Sequence, residues 1–302
     1  MRIGINGSSL LANPDLGVIK ADIGTAESEG FSSYWLAQTG LVDALGALAA
    51  AGPSTSAIEL GTAVIPTWLQ HPMALAGNAL TTQAAVGGRL VVGIGLSHQP
   101  AVEGRLGMKW EKPVRHMLDY LEVLTPLLHG EAVSHRGEVW SLEGEMRRPT
   151  DQVPKVMLAA LGEQMLRIAG KRTDGTILWC VGPETIRTHI APHLNKAADE
   201  AGRPTPSIVC SIPCWVTDKP AEAREFIAGV LAGYASLPSY RAMLDIEGIH
   251  GLEDLSFVGS ADDVRAGIAS VAEAGATDFT AVIMGANPDE LAATREVLGT
   301  LN

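Results

Sequence analysis

The sequence predicts an α/β chain folded as a closed (β/α)8 TIM barrel, and three features predict it together. Its 302 residues suit one such barrel better than one ordinary domain. Short runs rich in Ile, Val and Leu alternate with longer runs whose apolar residues recur three and four apart, the pattern of buried parallel strands joined by amphipathic helices. No linker-like or low-complexity stretch interrupts the alternation, so residues 1–302 read as a single domain. A closed ring accommodates this alternation better than an open doubly wound sheet does.

Taken in order, the strand candidates are 2–6, 33–37, 58–65, 90–96, 155–160, 176–180, 207–216 and 278–283. Helical spacing is clearest in HMLDYLEVLTPLLHG and in ADDVRAGIASVAEAGA, where Ser260 can cap the start and Gly275 the end. Three stretches exceed the simple unit and read as insertions: about 97–112, about 131–150 and about 237–256. The second opens with EAVSHRGEVWSLE, a hairpin pattern, and the third reads as a loop and short helix. Barrel active sites lie at the carboxyl ends of the strands, so chemistry is sought there.

Composition narrows the function classes. Hydrophobic residues make up 46% and charged residues 19%, with 33 glycines, which describes a large core and many tight turns. A net charge of -12 argues against nucleic acid as a general partner. The start, MRIGINGSSL, is too polar for a signal peptide, and no apolar run approaches the roughly 20 residues of a membrane span, so a cytoplasmic protein without a membrane partner is expected. The three cysteines form no closed disulfide set, and Cys210 and Cys214 sit in an apolar strand, as core thiols would.

Several motif templates fail. There is no Walker A sequence. Gly93-Ile94-Gly95-Leu96-Ser97 lacks the last glycine of a dinucleotide fingerprint, and Gln99 stands where a nucleophile elbow needs its second glycine. His189 and His193 have a zinc-like spacing, but Ile190 replaces the expected Glu and Pro192 disturbs the turn, so no metal is expected. The strand ends are more informative. Gly93 and Gly95 suit either close ligand approach or crowding where a barrel strand bends. Gly162 opens a helix, either as a phosphate site or as a plain turn. Trp35, Trp68, Trp179 and Trp215 are candidates for an aromatic wall around a flat ring, or for core. Arg105, Lys109, Lys112 and Arg115, with Arg147, Arg148 and Lys155, are either a route for an anionic ligand or solvated surface.

The blocks IELGTAVIPTWLQHPMALA, GGRLVVGIGLSHQP, KVMLAALGEQMLRIAGKRTDGTIL and SFVGSADDVRAGIASVAEAGATDF follow one another as in the bacterial luciferase-like superfamily, which the chain resembles over nearly its whole length. RHMLDYLEVLTPLL and LPSYRAMLDIEG resemble the actinobacterial F420-dependent subgroup. The resemblance implies a luciferase-like barrel with a flavin or deazaflavin ring in its mouth. It also implies a non-prolyl cis peptide at Ala63–Val64, after Thr62, behind that ring. Gly95, Leu96, Ser97 and His98, the turn Ala160, Leu161 and Gly162, and Gln164 and Met165 are implied around the cofactor's side chain and phosphate. Relatives with an acid-base pair after strand two carry an acidic residue and His there; this chain has Gln38 and Thr39, which do not titrate near neutral pH. Gln38 can still hydrogen-bond ring or substrate. His98 is then the best proton donor, the alternative being a structural or phosphate-facing histidine.

The expected function is hydride transfer between coenzyme F420 and a small organic substrate, through reduction of an activated C=C, C=N or nitro group or the reverse oxidation of an alcohol. An FMN-dependent monooxygenase and a non-catalytic deazaflavin-binding protein are the alternatives. The F420 tail is polyanionic, which would give the basic clusters a purpose. Relatives commonly form homodimers, and the same is expected here.

Overall fold

The computed structural model describes residues 1–12, 14–38 and 42–301. Its barrel strands are β1 (Arg2–Asn6), β2 (Ser33–Leu36), β3 (Glu59–Thr62), β4 (Leu90–Gly95), β5 (Lys155–Ala159), β6 (Gly175–Trp179), β7 (Ser207–Val216) and β8 (Asp278–Ile283). All pair in parallel with their neighbours, and β7 bonds to both β6 and β8 while β8 bonds to β1, which closes the ring. The helices are α1 (Leu16–Ser28), α2 (Ala44–Ala51), α3 (Pro72–Ala85), α4 (Gln99–Gly104), α5 (Pro113–His129), α6 (Glu163–Arg172), α7 (183–200), α8 (Pro220–Ala235), α9 (Pro238–Glu247), α10 (Ala261–Glu273) and α11 (Pro288–Gly299). The middle of α7, Ile186–Ile190, is π-wound just ahead of Pro192, which has no N–H to return along the helix.

Local chemistry explains the boundaries. Helix α10 carries a full capping box between Ser260 and Asp263, and Gly275 follows it at φ +110. Helix α5 ends on Gly130 in the left-handed conformation. The expected strands recur within about a residue at most ends. The third is the exception: it breaks after Thr62, and Ile65–Pro66 pairs separately with Ile94 and Gly95. One strand was not anticipated. Phe257–Gly259 is three residues long and pairs outside β7, too short to leave a periodic signal.

Two layers of core result. Inside the ring, Trp35, Val91, Met157, Ile177 and Val209 pack on one another and on Ala63 and Val64. Outside it, the strands' other faces meet the helices. The expected hairpin is present as Val133–Arg136 paired antiparallel with Ser141–Gly144. The 237–256 stretch holds α9 and a 3-10 turn, Leu252–Leu255, which with α8 make a separate apolar cluster over the ends of β6 and β7. Among the described residues no helix is long and apolar enough to cross a membrane. The three cysteines are buried and free.

Candidate active site

The barrel brings the carboxyl ends of β2, β3, β4, β5 and β6 to one mouth, and nearly every sequence-predicted site residue lies there. The Ala63–Val64 peptide is cis, as the resemblance implies. Both sides of it are tied to strand two: Ala63 N–H donates to the Leu36 carbonyl at 2.8 Å, and Gln38 N–H donates to the Val64 carbonyl at 3.3 Å. Thr62 bridges to strand four, its hydroxyl donating to the Gly93 carbonyl and accepting from the Gly93 N–H, each at 2.8 Å. The side chain thereby replaces ladder bonds that the bulge interrupts.

The two glycines of strand four are now separable. A Cβ on Gly93 would lie 1.9 Å from the Thr62 carbonyl oxygen, so crowding explains that glycine. A Cβ on Gly95 would lie 2.8 Å from Val64 Cγ2, so Gly95 lets the bulge seat against strand four. Leu96, Ser97 and His98 follow, all half-buried, with Ser97 at φ +62 turning the chain. Gln38 is half-buried, and its side-chain oxygen accepts weakly from Ala44 N–H at the start of α2, at 3.4 Å. Thr39 lies outside the described residues.

At the end of β5, Ala160 is buried and the Leu161 carbonyl lies 2.7 Å from His189 Nε2. Gly162 precedes α6 with no side chain capping the helix, and the space where its Cβ would sit is open. The first-turn N–H groups of Glu163, Gln164 and Met165 thus face outward without a side-chain cap, the arrangement that receives a phosphate. Glu163 is an unfavourable charge there, and its carboxylate lies 3.2 Å from His193 Nε2. At the end of β6 the comparable helix start is filled: Glu247 of α9 accepts from the N–H groups of Glu184 and Thr185 at 3.1 and 2.8 Å. The histidine pair therefore braces the β5 turn, and among the described residues no cluster of metal-ligating side chains occurs.

His98 meets the rings of Tyr234 and Tyr240 edge-on, with centroids 5.7 Å away in both cases. Burial lowers its basicity below the ordinary 6.5, so it is uncharged at neutral pH. The two tyrosines were not singled out from the sequence. They lie 136 and 142 positions further on (234 − 98 and 240 − 98), a separation at which periodicity carries no information.

A second network reaches the end of β4 from the hairpin. Trp140 Nε1–H donates to His116 Nδ1 at 3.3 Å, His116 Nε2 lies 2.9 Å from Thr67 Oγ1, and that hydroxyl donates to the Gly95 carbonyl at 3.2 Å. Because Nδ1 accepts, the imidazole carries its proton on Nε2, and every bond runs toward Gly95. Burial depresses His116 to about 4, against a smaller opposing effect of Asp119. Asp119 anchors the hairpin. Burial alone would raise this carboxyl, but the N–H groups of Val139 and Trp140, Arg115 and His135 outweigh it and hold it below its ordinary range.

Two sets of side chains that the sequence left open between ligand contact and structure fall mostly on the structural side. Of the four tryptophans, only Trp179 joins the aromatic cluster at the mouth: Trp35 is barrel core, Trp215 is buried and donates to Glu290, and Trp68 stacks on His116 at 3.9 Å. The basic clusters are largely neutralised in place, by Lys109–Glu111, Lys112–Glu138, Arg115–Asp119 and Arg148–Asp151. Lys155 begins β5, at the opposite end of the barrel, and pairs with Glu59. A cavity of about 350 Å³ also opens at that far end, beside Lys155, Arg172 and Arg203, but each of these cations already has a carboxylate partner.

The mouth fits a cofactor with a flat ring and a phosphate-bearing tail: an apolar bulge of half-buried Ala63 and Val64, and an uncapped helix start with an open glycine cradle. The family model for luciferase-like monooxygenases matches residues 6–278. The 5,10-methylenetetrahydromethanopterin reductase of Methanolobus tindarius is 25% identical over 227 residues, covering 74% of this chain and 69% of that protein. The F420-dependent glucose-6-phosphate dehydrogenase of Microbacterium testaceum is 30% identical over 223 residues, covering 67% of this chain and 64% of that protein. Among solved structures, the coenzyme F420-dependent tetrahydromethanopterin reductase of Methanopyrus kandleri shares the fold, with a TM-score of 0.82, 22% identity, and 99% and 97% of the two chains covered.

Proposed function

The chain belongs to the luciferase-like monooxygenase family, and on that premise we propose that it is an oxidoreductase transferring a hydride between coenzyme F420 and a small organic substrate. The direction proposed is reduction of an activated C=C, C=N or nitro group. When bound, the deazaflavin supplies a ring carbon that gives or takes the hydride.

The observation that carries the reading is the pairing, at one mouth, of the Ala63–Val64 bulge with the open start of α6. The bulge offers a flat apolar seat, with Gly95 behind Val64 and Thr62 fixing the strands beneath. The turn Ala160, Leu161 and Gly162, with the N–H groups of Gln164 and Met165, would hold the tail phosphate. Leu96 and Ser97 would flank the cofactor's side chain, and the free amide NH2 of Gln38 would face ring or substrate. His98 stands on the same wall as a neutral imidazole. Two relatives point the same way, one a reductase and the other an F420-dependent dehydrogenase. In this reading the protein works in the cytoplasm, as a homodimer whose mass sedimentation would report.

FMN-dependent monooxygenation is the second reading, favoured by the description of the family itself. Anaerobic mixing of the protein with reduced F420 and 2-cyclohexenone separates the two. The proposal expects F420 to be oxidised in step with loss of the enone. Inertness toward F420, together with oxygen consumption by the FMN-loaded protein, would reverse it, and binding of F420 without turnover of any acceptor would leave a carrier rather than an enzyme.

A further inference from the structure

Four aromatic side chains from four separate segments meet beside the end of β4. His98 follows that strand, Trp179 ends β6, Tyr234 lies in the last turn of α8 and Tyr240 in the first turn of α9. Tyr234 touches all the others edge-on, at 5.7 Å from His98, 6.4 Å from Trp179 and 5.3 Å from Tyr240. Elsewhere in the chain several such rings have a bonded polar tip. Tyr34 donates to Asp22, Tyr120 to the Gln70 carbonyl, Trp35 to Ser33 and Trp215 to Glu290.

In this cluster no polar tip has a protein partner among the described residues, and none of them is sealed from solvent, unlike the buried and unpaired Trp68 Nε1. Two hydroxyls, an indole N–H and an imidazole are thus carried by rings that touch one another and are left without a protein partner. Among the described residues no carboxylate, guanidinium or ammonium group is bonded to any of the four rings. The lining behind them is apolar, with Leu161, Leu231, Leu244 and Cys180. The chain links the cluster to the bulge: His98 lies three residues beyond Gly95, at most about 11 Å of chain, and Gly95 packs against Val64.

We propose that Tyr234 is the proton donor of the reaction, and that the His98, Trp179, Tyr234 and Tyr240 rings select flat, uncharged, conjugated carbonyl compounds. This inference rests on the F420 reading above. For an enone, the hydride from reduced F420 forms a C–H bond at the β-carbon, and the C=C π pair moves toward the carbonyl. The Tyr234 O–H bond breaks and its proton goes to the α-carbon. The substrate gains two electrons and F420 loses two, and the phenolate regains a proton from water at its open side. Burial, and secondarily Cys180, raise the Tyr234 phenol above its ordinary 10, so it stays protonated at working pH, whereas His98 is neutral and only a weak acid. Half-buried Tyr234 is also more accessible than Tyr240, which is 5% exposed.

The test compares wild type, Tyr234→Phe, Tyr240→Phe and His98→Gln. Fluorescence quenching of F420 measures cofactor binding, and calorimetry of 2-cyclohexenone against the protein loaded with oxidised F420 measures substrate binding without turnover. Reduced F420 then gives kcat with 2-cyclohexenone and with fumarate. The expected result is unchanged F420 binding in Tyr234→Phe and Tyr240→Phe, weaker enone binding in Tyr234→Phe, and a kcat loss of roughly 10²–10⁴-fold in that variant. The losses in Tyr240→Phe and His98→Gln are expected to be much smaller. Wild type that binds F420 and reduces the enone, with Tyr234→Phe keeping its kcat, overturns the donor assignment alone. A preference for fumarate overturns the substrate class. Failure of wild type to bind F420 removes the reading beneath both.

Discussion

Thr62 and Gly93 make one joint at which β3 and β4 are held where their ladder is interrupted. Both hydrogen bonds of the pair run through the Thr62 hydroxyl, and the side chain is fully buried. Thr62→Val keeps the shape and removes the bonds. It should cost about 1–3 kcal/mol for each backbone group left unpaired, read as a lower denaturation midpoint. Gly95→Ala is different in kind. Its methyl would press on Val64 Cγ2 at 2.8 Å and on Ala159 Cβ at 3.2 Å, so it should weaken cofactor binding more than it lowers stability. Quenching titrations beside thermal melts separate the two effects. Sequence alone left both glycines open between ligand approach and crowding, because the deciding neighbours, Thr62 and Val64, lie about thirty positions away in the chain. Tyr234 and Tyr240 were invisible for the same reason. For the run Gly95 to His98 and the turn Ala160 to Gly162, chain order gave only their place at strand ends; a role beside a cofactor came from the resemblance alone.

The inserted elements act on the mouth from outside it. The hairpin is fixed to α5 by Asp119 and presents Trp140 to His116, whose proton then points through Thr67 to the Gly95 carbonyl. Trp140→Phe removes the first bond of that chain and should cost about 0.5–1.5 kcal/mol, with a looser Ile65–Leu69 segment visible in amide hydrogen exchange. Helix α9 is fixed differently. Glu247 caps the helix start after β6, bonding to Glu184 N–H, Thr185 N–H and the Thr185 hydroxyl. Glu247→Ala should cost about 0.5–2 kcal/mol and raise KM for the substrate more than for the cofactor, because α9 carries Tyr240. The hairpin itself was readable from alternating residues. Its purpose was not, since nothing in EAVSHRGEVWSLE says which helix it will lie on. The 237–256 stretch was legible as a helix-bearing insertion, but not as the element that brings a second tyrosine to the mouth.

At the scale of the whole barrel, the alternation of apolar strand runs and amphipathic helices was enough to give the closed ring, since parallel strands covered by helices have few other arrangements. What periodicity could not supply was the break after Thr62, for which only the resemblance gave a reason, and the short strand Phe257–Gly259. Stability of the whole should depend on His116 in acid. Its folded value of about 4 lies below the ordinary 6.5. Between those pH values the unfolded chain holds a proton at this site that the folded chain does not, so stability falls as pH drops through that window, by up to about 3 kcal/mol. His116→Gln should flatten the corresponding part of the stability profile.

In the proposed function this mouth takes a deazaflavin ring, with its phosphate tail at the start of α6. Parallel equilibrium titrations of the wild-type protein with F420 and with FMN, followed by ligand fluorescence, address it most directly. Saturable quenching of F420 at one site per chain, with weaker or no response to FMN, is the predicted result. Tight binding of FMN with none of F420 would contradict it.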